Sequence, residues 1–258
     1  MALSSTHPGG RAPGGPIAPA TSHGKARRAF RQKCPPCIRE LCAAVLLCLL
    51  RLAADAETPA LLDQWIAAQT NLHTWSADAV QTRSLKTLSQ PLVSTGKVWV
   101  AVPDRFRWEL GQPAQTIALR QPDQLFLIYP KLKRVEKYPL NDKQPGPWRD
   151  ALALLEASFP RTRADMESRF RVLSVTQTNS IAHLVLQPKS ASARKFMTEI
   201  EVSFSTDSFS PVSTELRFSD GSSMRNDFTH AVINQPLREG VFDLKLEPDY
   251  TVVEPLRQ

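Results

Sequence analysis

One stretch of this chain decides its fold: residues 96–110, which read GKVWVAVPDRFRWEL. Its first seven residues are rich in valine and include a tryptophan, as is typical of a strand. After the proline the stretch alternates strictly, with Phe106, Trp108 and Leu110 on one face and charged residues on the other. Because successive side chains of a strand point to opposite faces of a sheet, this alternation predicts a strand with one apolar face. The stretch therefore predicts two successive strands of a sheet.

Similar segments recur along the chain at short spacing, with turn residues between them. The predicted strands are Trp75–Thr82, Gly96–Val102, Arg105–Leu110, Thr116–Leu119, Gln124–Tyr129, Lys133–Tyr138, Phe170–Gln177, Ala182–Gln187, Phe196–Phe204, Val212–Phe218 and Ser222–Val232. Few helical segments separate them, which argues against parallel β–α–β units and favours one large antiparallel sheet. Asp220-Gly221, between the last two segments, is a typical hairpin turn.

Three segments have the spacing of amphipathic helices. In the first, apolar residues recur every three or four positions from Leu61 to Leu72, and Thr58 is suited to cap its start. The second is Trp148–Phe159 and the third is Arg161–Arg169. Helices inserted in an otherwise meandering sheet often cover its concave face. We therefore expect a mainly β domain with an N-terminal helix and inserted helices packed on one large sheet.

Residues 1–56 have the three parts of a secretory signal. A basic segment precedes the apolar run Leu41–Leu50, and the small-residue site Ala54-Asp55-Ala56 follows. The apolar run is too short to cross a bilayer as a helix, which takes ~20 residues. We expect cleavage after Ala56, a single domain over residues 57–258 and a location in the periplasm. Because the segment before Lys25 is long and rich in glycine and proline, we also expect the true translation start to lie further along the chain.

Subtracting this segment changes the charge and cysteine content. The whole chain has a net charge of +7, but residues 1–56 hold 8 Lys and Arg against 2 Asp and Glu. Beyond them lie 24 basic and 23 acidic residues and none of the four cysteines. The basic character therefore belongs to the signal, which argues against nucleic-acid binding and against a redox or disulfide protein.

Residues 57–258 contain no catalytic or metal-binding sequence pattern. The histidines there, His73, His183 and His230, are isolated in sequence and form no zinc signature. A nucleophile turn of the form G-x-S-x-G and a glycine-rich phosphate loop are also missing. We therefore predict a protein that is not an enzyme and that holds no metal or cofactor. An enzyme stays open only as a cluster formed in space around His183 or His230.

Two further features have alternative interpretations. The basic residues Lys131, Lys133, Arg134 and Lys137 form either a solvated hairpin or a docking patch for a membrane protein or anionic head groups. Aromatic residues are spread over many predicted strands, and an ordinary core accounts for most of them. However, a single curved sheet with one helix inside has difficulty filling its concave side. An unfilled apolar cavity open at a rim would be a ligand site.

The block at residues 96–109 resembles the periplasmic outer-membrane lipoprotein carriers of the LolA family. That family has a glycine, a strand with a central tryptophan and then P-x-x-F-x-W, matched here by Gly96, Trp99, Pro103, Phe106 and Trp108. The resemblance continues through Gln112-Pro113, Asp123, Tyr129-Pro130, Phe242 and Pro248, and covers most of residues 60–255. It implies a single large antiparallel sheet curled into an incomplete, half-open barrel, with an N-terminal amphipathic helix and short lid helices over the concave face. In the family, the apolar cavity of this barrel accepts acyl chains.

The resemblance also implies roles for individual residues. Trp108 matches a cavity-lining tryptophan, Phe106 matches a phenylalanine in the segment that docks on the inner-membrane releasing complex, and Leu152 and Leu155 fall in the lid-helix region. With the apolar residues of the predicted elements, the candidate ligand-binding set is Trp65, Leu72, Trp99, Phe106, Trp108, Leu110, Phe126, Ile128, Leu152, Leu155 and Phe159. The candidate docking set is Phe106, Lys131, Lys133, Arg134 and Lys137.

One position departs from the family pattern, since the carriers have an arginine immediately before the proline of this block and this chain has Val102. Valine cannot donate a hydrogen bond, so the lid latch made by that arginine is absent or built differently.

The expected function is that of a monomeric, non-enzymatic carrier that shuttles acyl chains of lipoproteins or other lipids between the inner and outer membranes. Its expected partners are the acylated cargo, an inner-membrane releasing complex or exporter and an outer-membrane acceptor, with no nucleic acid. The alternative is an accessory or sensor module of a membrane complex, which uses the same scaffold to bind protein or a non-lipoprotein acylated product.

Overall fold

The computed structural model describes residues 60–140, 152 and 157–255. The chain divides into two compact units, Met1–Cys48 and Leu49–Gln258, and every described residue belongs to the second. The predicted export signal and its cleavage site therefore lie outside the described residues. Most of the predicted helix Trp148–Phe159 lies outside them too, including Leu155.

Twelve strands form one sheet in the described part of the chain. They are β1 (Thr74–Ser84), β2 (Leu92–Ala101), β3 (Arg105–Leu110), β4 (Thr116–Gln121), β5 (Gln124–Tyr129), β6 (Arg134–Pro139), β7 (Phe170–Thr178), β8 (Ile181–Pro188), β9 (Met197–Ser205), β10 (Pro211–Phe218), β11 (Ser223–Ile233) and β12 (Thr251–Val253). Their order across the sheet is β12-β6-β5-β4-β3-β2-β1-β11-β10-β9-β8-β7. The sheet is not closed into a barrel, since β12 and β7 remain as its edges. The prediction of a mainly β, half-open sheet is confirmed.

The sheet has two faces with different coverings. Cross-strand register places Trp108 of β3 opposite Val98 of β2 and Ala118 of β4, and we call the face that carries these three residues the inner face. A helix at residues 60–70, α1, packs on the β8–β10 part of the inner face. There Trp65 stacks on Phe204 with ring centroids 4.7 Å apart and the planes 9° from parallel. The amphipathic pattern of α1 is thus satisfied by the sheet, as a surface helix with one apolar face requires.

Short helical pieces follow β6 and β8. Leu152, Ala157 and Ser158 are helical and buried. α2 (Arg163–Arg169) begins after Thr162, whose hydroxyl accepts a hydrogen bond from the backbone N–H of Asp165 at 3.0 Å. α3 (Ala191–Arg194) is a single turn, and Pro130–Leu132 forms a 3₁₀ turn. The helix predicted over Arg161–Arg169 therefore begins at Arg163, two residues after its predicted start, because Thr162 caps it.

The opposite face of β4–β6 is covered by the C-terminal segment, and we call it the outer face. Ile117, Leu119, Phe126, Ile128 and Val135 are buried there. Phe242, Leu244, Leu246 and Tyr250 pack against them and define the outer cluster with them. The carbonyl of Phe242 accepts a hydrogen bond from the Gln121 side chain at 3.2 Å, which ties the start of the segment to β4.

The last strand corrects the expectation of a wholly antiparallel sheet. Every strand pair is antiparallel except that β12 runs parallel to β6, with Thr251 opposite Arg134. The C-terminal segment crosses the outer face before it reaches this edge, so it arrives in the direction of β6 rather than against it. The sequence pattern did not indicate β12, which spans three residues.

Candidate functional site

The inner face of β1–β6 carries an apolar cluster, which we call the inner cluster. Its buried members are Leu72, Trp75, Ala77, Val98, Val100, Phe106, Leu125, Tyr138 and Leu152. Trp108, Phe159 and Phe228 are partly buried and pack against it. Strand alternation explains this grouping, because residues two apart on β1, β2 and β3 point to the same face.

Four aromatic side chains meet in the inner cluster, and we call them the aromatic group. The ring of Trp75 lies 5.1 Å from that of Phe228, edge to face, and 5.4 Å from that of Phe159. Phe228 in turn lies 6.0 Å from Trp108. These centroid distances fall within the roughly 4.5–7 Å over which aromatic pairs attract. The group therefore links side chains of β1, β3 and β11 to Phe159, which follows the helical residue Ser158.

The two tryptophans of the aromatic group differ in their polar contacts. The indole N–H of Trp75 donates to the hydroxyl of Ser210 at 2.8 Å. The indole nitrogen of Trp108 is buried and has no hydrogen-bond partner within the described residues. An unpaired buried donor costs about 1–3 kcal/mol. Trp108 is therefore held by apolar packing alone and presents an unused donor at the inner face.

In the described part of the chain, cavities adjoin the inner cluster, among them three that are lined by its residues. The largest, of about 200 Å³, has apolar walls from Val100, Val102, Phe106 and Phe159, and we call it the main cavity. A second, of about 70 Å³, lies beside Leu72 and Trp75. A third, of about 10 Å³, lies against Trp108 and Phe228. Since small-molecule pockets usually measure about 300–1,000 Å³, each of these three is small for a ligand site.

Phe159 is placed between two of these cavities. Its ring lines the main cavity and also the 10 Å³ cavity beside Trp108. The rest of the smaller cavity is formed by residues of the strands, among them the buried Thr214. Phe159 therefore borders both spaces.

The main cavity also has charged walls. Arg105, Arg120, Arg161, Arg169 and Asp165 line it. Asp165 pairs with Arg169 at 3.2 Å within α2. Arg120 lies on the inner face, opposite Phe106 of β3 and Leu125 of β5. Sequence reasoning missed these arginines as a group, because they come from separate segments and no local pattern joins them.

Several predicted ligand-binding residues lie in the inner cluster. Phe106 and Leu152 are buried in it, and Trp108, Leu72 and Phe159 pack in or against it. Leu110 lies on the inner face too, two residues beyond Trp108 on β3. Trp65 belongs to the neighbouring cluster beneath α1 and is fully buried against Phe204. A ligand-binding role for these residues stays a prediction.

Three other candidates point away from the inner cluster. Trp99 lies opposite Arg107 and Ser76, one residue out of phase with Val98 and Val100, and so faces the other way. Phe126 and Ile128 are buried in the outer cluster under the C-terminal segment. The reason is register: on β5 the inner-face residues are Leu125 and Leu127, and an apolar strand does not indicate which of its two apolar faces is the binding face.

Two members of the aromatic group, Trp75 and Phe228, were not predicted from the sequence as site residues. Trp75 lay within a predicted strand, and period-two spacing puts it on the same face as Ala77 and Ala79. Its position relative to Phe159 depends on a contact across more than eighty residues. No local signal contains that contact.

The basic hairpin carries partners of its own. Lys133 pairs with Glu247 at 2.5 Å and with Asp249 at 3.2 Å, and its ammonium lies 5.2 Å from the ring centre of Tyr250. Arg134 pairs with Glu136 at 2.8 Å, and Lys137 approaches Glu254 at 3.7 Å. These contacts favour the interpretation as a solvated hairpin tied to the C-terminal segment. Docking by Lys131, Lys133, Arg134 and Lys137 stays a prediction without structural support.

The histidines are spread over the sheet rather than gathered. His183 Nδ1 lies 3.0 Å from Ser203 Oγ and 3.3 Å from Glu201 Oε1. Both contacts involve the same ring nitrogen, whereas a catalytic triad uses one nitrogen for the serine and the other for the acid. His230 is exposed, with Nδ1 3.0 Å from Asp78. Among the described residues, no three His, Cys, Asp or Glu side chains could hold a metal ion together.

Tyr138 marks the polar end of the inner cluster. Its hydroxyl donates to Glu136 at 2.8 Å, and Glu136 also pairs with Arg134. Burial, followed by this hydrogen bond to a carboxylate, raises the pKa of Tyr138 to about 12. The phenol of Tyr138 therefore stays neutral at physiological pH. The edge of the inner cluster then carries a polar hydroxyl and not a charged phenolate.

The fold and the inner face define a class of protein: a half-open β-sheet that holds an apolar, aromatic-rich face beneath helical elements. Residues 70–245 match the model of the outer membrane lipoprotein carrier protein family, LolA. This match spans more than half of the chain, and the chain belongs to the LolA family. A comparison with curated protein sequences found no match. No helix in the described part of the chain is long and apolar enough to cross a membrane.

Solved structures with a similar arrangement have low sequence identity to this chain. A putative outer membrane lipoprotein-sorting protein domain from Vibrio parahaemolyticus is 12% identical, with a TM-score of 0.40, over 73% of this chain and 97% of that one. A LolA superfamily protein from Nitrosomonas europaea is 9% identical, with a TM-score of 0.38, over 72% and 96%. A complex of MucA and MucB from Pseudomonas aeruginosa is 16% identical, with a TM-score of 0.41, over 75% and 62%. At these TM-scores the likenesses carry no argument about function.

Proposed function

We propose that this protein is a non-enzymatic periplasmic carrier that binds the acyl chains of a lipoprotein or another lipid at its inner cluster. The observation that carries the proposal is the aromatic group beside the main cavity, which together offer apolar side chains next to unfilled space. Membership of a family of lipoprotein carriers supports it. The cargo would be moved between the inner and outer membranes.

Burial of hydrocarbon would drive the binding. Each CH₂ group removed from water contributes ~0.8 kcal/mol. Cargo taken from a bilayer has chains that are already out of water, so the net gain is smaller than this value suggests. The resulting moderate affinity suits a carrier that has to release its cargo.

Acyl binding would require the main cavity to grow. Its volume of about 200 Å³ is below the usual size of a ligand pocket. Phe159 separates it from the space beside Trp108, so an outward movement of Phe159 would provide room. Val102 lines the same cavity and has no side-chain donor. Closure of the main cavity in this chain would therefore depend on apolar packing of Phe159 and Leu152 rather than on an arginine at position 102.

The substitution Trp108→Glu tests the proposal. A carboxylate placed in the inner cluster is expected to abolish binding of an acyl ligand, because a buried unpaired charge is costly. The fold is expected to persist, since Trp108 is only partly buried. Titration with a fluorescent fatty-acid analogue measures the binding, and circular dichroism checks the fold.

Trp99→Glu is the matched control, because Trp99 is a partly buried tryptophan on the adjacent strand but faces the other way. It is expected to bind the acyl ligand like the unmodified protein. If the unmodified protein and both variants bind the acyl ligand equally well, the inner cluster is not the binding site. Failure of the unmodified protein to bind acyl ligands, together with native mass spectra free of lipid, would overturn the carrier proposal itself.

A further inference from the structure

Four arginines converge on the main cavity from four different positions in the chain. Arg105 begins β3, Arg120 lies on β4, Arg161 precedes α2, and Arg169 ends α2. Asp165 is the acidic residue in the same wall, and it pairs with Arg169. Among the described residues that line this space, four arginines thus stand against one acidic residue, although residues 57–258 as a whole are nearly neutral.

The arginines stand beside apolar walls. Arg120 projects from the inner face between Phe106 and Leu125, which are both buried in the inner cluster. An arginine beside buried apolar side chains is uncommon, because arginine is mostly exposed in folded proteins. The same cavity is also lined by Val100 and Phe159. The walls of a single space thus contain both guanidinium groups and hydrocarbon.

The two neighbouring cavities differ from the main cavity in the charge of their walls. Among the residues that the structure describes, no charged side chain lines the 70 Å³ cavity beside Leu72 or the 10 Å³ cavity beside Trp108. The positive charge is therefore specific to the main cavity among the three. Guanidinium groups placed around one small space attract an anion. Their planar, forked donors match the oxygens of a phosphate or carboxylate.

We propose that the main cavity selects amphiphiles with an anionic head group, a phosphate or carboxylate held by Arg105, Arg120 and Arg161, while the acyl chain runs over Phe106 towards the aromatic group. This inference rests on the proposed acyl-binding function and deepens it. It assigns the cargo to acidic lipids rather than to neutral acylated molecules. Charge-assisted hydrogen bonds supply the preference for the head group, and apolar burial supplies the affinity for the chain.

Two ligands with the same chain and different head groups test the inference. Dodecyl phosphate and dodecyl maltoside, each below the concentration at which it forms micelles, are titrated into the protein and followed by tryptophan fluorescence. Dodecyl phosphate is expected to bind about tenfold more tightly, which corresponds to about 1.4 kcal/mol, because of its charge-assisted hydrogen bonds. This preference is expected to shrink at high salt, because Arg105, Arg161 and Arg169 are exposed.

The double substitution Arg105→Gln with Arg161→Gln locates the effect. Both side chains are exposed, so their removal is not expected to unfold the protein. The variant is expected to bind dodecyl phosphate only as well as dodecyl maltoside. Arg83→Gln, at the opposite end of the β1–β2 hairpin, is the control and is expected to keep the preference.

The outcomes separate this inference from the function beneath it. Equal binding of the two amphiphiles would overturn the head-group site and leave acyl binding intact. Inorganic phosphate alone binding as tightly as dodecyl phosphate would also overturn the inference, because the site would then take a free anion. A preference that survives in the double variant would remove Arg105 and Arg161 from the site. Binding of neither amphiphile would overturn the proposed function as well.

Discussion

Gly96 lies in close contact with the backbone of β3. A Cβ atom at this position would lie 1.9 Å from the carbonyl oxygen of Glu109, which belongs to the backbone of β3. Real Cβ atoms do not approach backbone oxygens so closely, and the backbone of a central strand cannot move aside cheaply. The glycine at the start of the fold-deciding stretch is therefore required by sheet geometry. It keeps Val98 opposite Trp108 on the inner face.

Gly96→Ala is expected to destabilise the protein by about 1–3 kcal/mol or more, as overpacking of a tight site does. Chemical denaturation measures the free energy of unfolding. Gly221→Asn serves as the control, because no atom lies within 4 Å of a Cβ built on Gly221 and asparagine tolerates its positive φ of 85°. A Gly96→Ala protein as stable as the control would show that β2 and β3 can separate without cost.

At the scale of elements, the helical residues Leu152 and Ala157 and the nearby Phe159 pack on the inner face of the sheet. Leu152 is buried in the inner cluster, and Ala157 is buried in the cluster beneath α1. Phe159 contacts Trp75 and lines two cavities. The strands supply Trp75, Trp108 and Phe228 of the aromatic group, and Phe159 joins them from outside the sheet.

Phe159→Ala is expected to join the main cavity to the space beside Trp108. Acyl ligands should then bind faster, because less apolar packing has to be broken before the chain enters. Stability should fall, although by less than the roughly 3–5 kcal/mol of a fully buried phenylalanine. Stopped-flow fluorescence with a labelled fatty acid gives the association rate.

Phe218→Ala provides the comparison for Phe159→Ala. Phe218 is also partly buried, but it packs against the cluster beneath α1. It is expected to lower stability without changing the association rate. If Phe159→Ala binds acyl ligands at the original rate, then Phe159 does not limit entry.

At the scale of the whole molecule, the sheet has separate apolar clusters on its two faces. The inner cluster adjoins the cavities, whereas the outer cluster is closed by residues 242–250. Ion pairs from Lys133 to Glu247 and Asp249 hold the end of that segment beside β6. Substitutions in the outer cluster are therefore expected to change stability without changing ligand binding.

The double substitution Leu244→Ala with Leu246→Ala tests that separation. Both leucines are partly buried in the outer cluster, so each is expected to cost about 1–2 kcal/mol, below the range for a fully buried leucine. Acyl affinity is expected to stay the same at temperatures where the variant is folded. Lys245→Ala, an exposed residue between the two, controls for changes in the segment that remove no apolar contact. Lost acyl affinity in the folded double variant would mean that the two faces are coupled.

The sequence by itself determined the strands other than β12 and the inner face around Trp108. Alternation is a local property with a period of two, so the block at residues 96–110 indicates both a strand and the side on which Phe106 and Trp108 lie. The same reasoning identified α1 by its spacing and located the hairpin turn at Asp220-Gly221. The family block agreed with these elements because it lies in the same strands.

Only the tertiary structure decided which apolar residues share a site. Phe126 and Ile128 are as apolar as Trp108, yet the C-terminal segment covers them on the outer face. Trp75 meets Phe159, and four arginines meet at one cavity, through contacts between residues far apart in the chain. The direction of β12 likewise follows from the path of residues 242–250 across the sheet. These features depend on long-range packing, which a local periodic signal does not contain.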